Sequence, residues 1–136
     1  MNNTVKNIVA VIVGVIVGWG VNGGIISISG SIIPYPNGYD MSSPETMKST
    51  FHLLESKHFI MPWIAHALGT LFGAFVAVKI AATNHLRWAL LIAAFFLIGG
   101  ITMVTMMPST PLWFAIVDLA GAYLPMGWLA HNLAKT

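Results

Sequence analysis

Asn22, His66, Thr102 and Asp118 stand inside long apolar stretches of the chain, and a histidine with an aspartate is the pair among them best suited to handling a proton. In "PWIAHALGT" (62–70) the imidazole of His66 interrupts an apolar run, where a polar ring without a partner is costly. An ionisable residue within a membrane segment marks a proton or substrate path by default. The competing expectation is a hydrogen-bonded layer that only fixes helix register, a purpose interhelical hydrogen bonds serve in lipid.

Composition puts these residues in a membrane. Only 7% of the 136 residues are Asp, Glu, Lys or Arg, while 57% are hydrophobic; an ordinary soluble domain carries about 25% charged residues. Mean hydropathy is +0.80, and so few charges cannot cover a soluble surface. The expectation is an integral membrane protein with lipids as its surroundings. The six Lys and Arg, with a formal charge of +2, form no basic run and no aromatic-basic interleaving, so nucleic acid is not an expected partner. With no cysteine, disulfides, CxxC redox pairs, thiolate metal sites and CxxCH haem attachment are excluded.

A transmembrane helix takes about 20 mostly apolar residues, and four stretches meet that requirement, at about 8–29, 60–82, 86–107 and 112–134. They predict an all-α polytopic fold, four transmembrane helices in one antiparallel bundle spanning 1–136. "TNH" (83–85) and "PSTP" (108–111) are short enough to force antiparallel neighbours. Lys6 before an apolar run resembles a signal peptide, but the run continues to Ile33 without an A-x-A site, so a retained span is expected.

Lys6, Lys79, Arg87 and Lys135 gather at one set of helix ends, and only Lys48 and Lys57 at the other. This bias places both termini in the cytoplasm and the loop 30–59 in the periplasm. Trp63 and Trp113 then fall at the outer boundary, with Trp88 and Trp128 at the inner one. Within the loop, "PYPNGYD" (34–40) carries turn chemistry. "SSPETMKSTFHLLESKHF" (42–59) predicts a short amphipathic helix with Ser43 as N-cap, Pro44 at its first position and Glu45 at the positive end of its dipole. Met47, Phe51 and Leu54 share one face, directed at the bundle. An ordered lid that merely closes the bundle and a lid over a substrate or partner are both open at this point.

Small residues mark where membrane helices approach one another. Ala65, Gly69, Gly73 and Ala77 recur every four positions, and Gly14 and Gly18 repeat the spacing in the first helix. At about 100° per residue His66 and Thr70 project beside Gly69 and Gly73, with Leu68, Phe72, Phe75 and Lys79 opposite. The same construction puts Asn22 with Gly18 and Ser29, Thr102 with Gly99 and Thr105, and Asp118 with Ala115, Gly121 and Ala122. Counted from the outer helix ends, Asn22, His66, Thr102 and Asp118 all lie about 8 to 9 Å deep. One polar layer, with Thr70 beside it, is the expected site.

Other constellations are weaker. Met41, Met47, Met61, Met103, Met106 and Met107 with His52 and His58 offer soft ligands to Cu(I), but adaptable packing is the preferred reading of methionine. Bis-histidine haem needs facing histidines at one depth, whereas His131 falls at the inner end and His66 near the outer. No cofactor or metal is expected. Ser, His and Asp occur without a GxSxG elbow, so no catalytic residue is assigned.

The blocks "WGVNGGII", "IIPYPNGYD", "FHLLESKHF", "AHALGTLFGAFVA" and "LWFAIVDLAGAYLP" resemble a family of small bacterial four-helix integral membrane proteins without an assigned activity. The resemblance implies a bacterial inner membrane and says nothing of chemistry. The chain is unlike the small multidrug transporters, whose essential carboxylate is in the first helix, where this sequence has Asn22.

The leading expectation is a non-enzymatic membrane protein that works in an assembly, as a homo-oligomer or as an accessory subunit of a larger membrane complex. Gly20 and Gly24, in addition to Gly14 and Gly18, exceed the small-residue contacts that four short helices need. The alternative is a small transporter or proton-coupled carrier that uses His66 and Asp118. A membrane enzyme with its site under the outer lid is a weaker third reading.

Overall fold

Asn2 opens the first helix by accepting the Val5 N–H on its side-chain oxygen at 2.9 Å, and an apolar run without proline then carries the helix to Ile32. The computed structural model describes residues 1–136, and its regular structure is entirely helical: α1 (Asn3–Ile32), α2 (Pro44–Thr50), α3 (Ile60–Ile80), α4 (His85–Met106), α5 (Leu112–Gly121) and α6 (Leu124–Lys135). Four helical stretches, Asn3–Ile32, Ser56–Ile80, His85–Met106 and Leu112–Lys135, are long and apolar enough to cross a membrane.

The fourth stretch is broken, where the sequence predicted one helix over 112–134. Pro125 has no N–H to give to the Gly121 carbonyl, so α5 ends there and α6 begins at Leu124 with the proline in its first turn, a position that needs no donor. Tyr123, with φ −119° and ψ −83°, makes the bend.

Helix α3 is the centre of the bundle. Against α1 the contact is backbone on backbone: a Cβ added to Gly14 would lie 2.7 Å from the Gly73 carbonyl oxygen, and one on Gly18 would lie 2.8 Å from that of Gly69. The pairing of rising with falling numbers makes the two helices antiparallel. Ala65 and Ala77 are fully buried on α3. Its other side meets α4 and α6 through a core of Ala74, Ala77, Val78, Ala89, Ile92 and Ala130. Phe75 packs against this core, not on the outer surface where the helical wheel placed it; Phe72 is the exposed ring. Gly20 and Gly24 face open space on the far side of α1.

At the end carrying the termini, Asn7 of α1 ties down the α3–α4 turn. Its Oδ1 accepts the Ala82 N–H at 2.8 Å and its Nδ2 donates to Thr83 Oγ1 at 3.1 Å. Asn84 then turns the chain with φ +54°, a left-handed conformation that asparagine tolerates.

At the opposite end, residues 33–59 fold over the bundle. Ser43 and Thr46 form a reciprocal capping box at the start of α2. The helix predicted over 42–59 stops at Thr50, whose hydroxyl turns back to the Thr46 carbonyl at 2.7 Å and accepts the Asp40 N–H at 3.1 Å. Two short 3₁₀ turns follow, Phe51–Leu53 and Ser56–Phe59, separated by an extended Leu54.

Candidate functional site

His66 lies on the face of α3 turned toward α5, one turn before the glycine contact with α1. Its Nδ1 is 2.7 Å from Asp118 Oδ1, and Asp118 is 1% exposed. The break after Gly121 folds Tyr123 back over this pair. Its hydroxyl donates to Asp118 Oδ2 at 3.2 Å, and its ring stacks on His66 with centroids 5.8 Å apart. Both oxygens of Asp118 therefore have a partner. With Asp118 as carboxylate, His66 Nδ1 carries the proton and donates, which leaves Nε2 as a lone pair with no partner in the chain. A carboxylate behind an imidazole fixes both its tautomer and its orientation, the arrangement of an oriented proton acceptor.

Thr70 is 1% exposed and its hydroxyl donates to the His66 carbonyl at 2.8 Å. The bond stays within α3, and Thr70 makes none to the imidazole. Asn22 approaches from α1, its Cβ 3.0 Å from where a Gly69 Cβ would be. The Asn22 Oδ1 is buried without a hydrogen-bond partner.

Thr102 does not belong to this group, contrary to the expected layer of four. It is exposed, and its hydroxyl is bonded to the Ile98 carbonyl of its own helix at 2.8 Å. The inward stripe of α4 runs through Ala89, Ile92, Ala93 and Gly100, and Thr102, two residues past Gly100, is turned about 200° away. Of the two adjacent glycines, Gly99 faces open space and Gly100 receives the Tyr123 ring. Phasing the helix on Gly99 rotated its polar residues to the wrong side. Tyr123 was absent from the predicted site because an unbroken helix would carry it past Asp118; Pro125 was the available signal.

Above the pair lies a cavity of about 350 Å³. Its floor holds Asn22, His66 and Asp118, and its roof is the loop, through Tyr35, Tyr39, Met47, Phe51 and Leu54. The face predicted from Met47, Phe51 and Leu54 thus covers the cavity although only Met47 is in α2. His58 clasps the roof: Nδ1 accepts the Glu55 N–H at 2.8 Å and Nε2 donates to the Pro34 carbonyl at 3.0 Å. Both ring nitrogens are engaged, so His58 offers no lone pair to a copper ion in this arrangement. Burial, with the neighbouring Tyr35 hydroxyl, pushes the Tyr39 phenol up to about 12. The Ser42 backbone N–H on the Asp40 carboxylate holds that group below its usual range.

No family model matches the chain, and neither a curated protein nor a solved structure does. Fold and site together define a class: an all-helical bundle, with four stretches apolar enough to cross a membrane, that encloses a lidded cavity over a histidine–aspartate pair.

Proposed function

We propose that the chain is an integral membrane protein that binds a small, largely apolar solute beneath its lid and exchanges a proton with it through His66 and Asp118, as a small proton-coupled carrier would. The observation that carries this reading is the position of the pair at the floor of the cavity, with His66 Nε2 left unpartnered. A pair that only fixed helix register would need no lidded space above it.

The expected setting is a bacterial inner membrane with both termini cytoplasmic and the lid periplasmic, supported by Lys6, Lys79, Arg87 and Lys135 at the end opposite the lid. Reporter fusions after Thr136 and within residues 37–45 are expected on opposite sides. The binding reading is tested with the full chain in lipid nanodiscs, its histidines labelled with nitrogen-15 and a library of small solutes added. Binding solutes shift the His66 ring signals in the wild type and lose affinity in Asp118→Asn; a library that leaves His66 unmoved overturns the reading.

A second reading, assembly with further copies or with other membrane subunits, is favoured by a separate observation. Gly20, Gly23 and Gly24 of α1 have no atom within 4 Å of an added Cβ, and Trp19 and Ile16 beside them are each 62% exposed. Mass determination in mild detergent tests it, since a monomer of unaccompanied chain would end the idea.

A further inference from the structure

A second cavity, of about 190 Å³, lies beside the lidded one and shares Asn22, His66, Gly100 and Met103 with it. It runs between α1 and α4 to the flank of the bundle, past Trp19 and Gly99. The two helices touch at Gly18, where an added Cβ would meet the Phe96 ring at 2.5 Å. Toward the lid they leave room: a Cβ on Gly23 or Gly99 would meet nothing within 4 Å. Trp19 and Met103 stand at the mouth, 62% and 45% exposed. His66 is thus reached from two directions, from under the lid and from the side of the bundle that faces lipid when the helices span a membrane.

The chemistry at the junction is complementary to a hydroxyl. With Nδ1 giving its proton to the Asp118 carboxylate, His66 Nε2 is an open acceptor; the Asn22 carboxamide has no hydrogen-bond partner, its Oδ1 buried and its Nδ2 a free donor; and the Tyr123 hydroxyl is already committed to Asp118. Neither cavity is lined by a lysine or arginine. An anion has no counter-charge here, and a molecule with only acceptors leaves His66 Nε2 as it is. An open acceptor on His66 beside a free donor on Asn22 calls for a group that both donates and accepts, as a hydroxyl does. The surrounding Tyr35, Phe51, Phe59, Phe114, Met47 and Met107 suit a flat ring, with edge contacts to aromatics and soft contacts to thioethers.

We infer that the site takes a lipid-dissolved phenol or hydroquinone, whose hydroxyl donates to His66 Nε2 and accepts from Asn22 Nδ2, and that it enters from the bilayer between α1 and α4 through the opening at Gly99. This rests on the reading that the cavity binds a solute at His66. It adds the ligand class and the route.

The test uses the full chain in lipid nanodiscs with 4-hexylphenol, 4-hexylanisole and hexylammonium as probes, followed by the histidine ring signals. The phenol is expected to bind about tenfold more tightly than its methyl ether, the worth of one hydrogen bond to an otherwise unpaired group. Equal binding of phenol and ether overturns the ligand class, and hexylammonium shifting His66 where the phenol does not overturns it while leaving the solute-binding reading intact. If none of the solutes tested there or here shifts His66, it is the solute-binding reading that fails. Gly99→Leu, which fills open space and spares the fold, is expected to slow association of membrane-loaded phenol about tenfold with the final occupancy nearly kept. Unchanged association of membrane-loaded phenol in Gly99→Leu overturns the lateral route.

Discussion

His66 Nδ1 and Asp118 Oδ1, 52 residues apart in the chain, are held 2.7 Å apart between α3 and α5. Two features of the backbone frame this pairing: the glycine contact that seats α3 against α1, and the bend at Tyr123 that supplies the second donor to Asp118. The pair is asymmetric, since Asp118 has both oxygens satisfied while His66 keeps Nε2 open.

The first expected outcome follows from that asymmetry. His66→Gln and Asp118→Asn each strand a partner, so the double variant should lose less stability in detergent than the sum of the single losses, with a coupling of about 1–3 kcal/mol. Tyr123→Phe removes one of two donors and should cost about 1 kcal/mol. Additive effects of His66→Gln and Asp118→Asn would show that the contact contributes no coupling.

The second concerns the backbone contact of α1 with α3. A Cβ on Gly69 would already lie 2.9 Å from the Gly18 carbonyl oxygen, and a backbone atom cannot swing aside as a side-chain end can. Gly69→Leu should therefore cost about 3 kcal/mol, measured by thermal unfolding in detergent. Phe72→Leu on the exposed face should stay within about 0.5 kcal/mol. A Gly69→Leu protein as stable as the Phe72→Leu one would mean that the helices do not meet at this stripe.

The four apolar stretches and the glycine stripe of α3 were legible because both are written in local spacing, and His66 facing the bundle followed from the same stripe. Thr102 was misassigned because "GG" at 99–100 offers two phases 100° apart by helix geometry, and only tertiary contact with Tyr123 chooses Gly100. The roles of Asn7 and His58 were not legible, since each hydrogen-bonds to backbone far along the chain: Asn7 to Ala82, and His58 to Pro34. Nothing in a residue's own neighbourhood records such a partner.

The lid should have a pH window set by two neighbours, Tyr39 and Asp40. Asp40 is depressed by the Ser42 N–H, so its contribution is present above its ordinary value and is lost as pH falls through the lower folded one. Tyr39 is raised, so its contribution is full below its ordinary 10.0 and is lost as pH rises toward about 12. Amide protection across residues 38–44, the exchange rate set against the intrinsic rate at each pH, should accordingly be greatest between these limits and fall at both. Asp40→Asn should remove the acid limb alone; protection that stays constant with pH in the wild type would contradict the assignment.

The last expectation concerns the clasp at His58, which is 4% exposed and joins the Glu55 N–H to the Pro34 carbonyl through opposite nitrogens of one ring. His58→Phe keeps the ring and its place beside Tyr35, 6.3 Å away, but leaves a donor and an acceptor without partners, a loss of about 1–3 kcal/mol. The lid packs on the bundle largely through its own side chains, so this loss should open residues 33–59 while the helical stretches persist. Limited proteolysis should then cut the loop faster in His58→Phe than in the wild type, with helical circular dichroism little changed. His52→Ala serves as the control, because His52 is exposed one turn earlier in the same segment. Equal cleavage of the two variants would mean that His58 does not hold the lid, and a collapse of helical signal in His58→Phe would mean that the lid and the bundle fold as one cooperative unit.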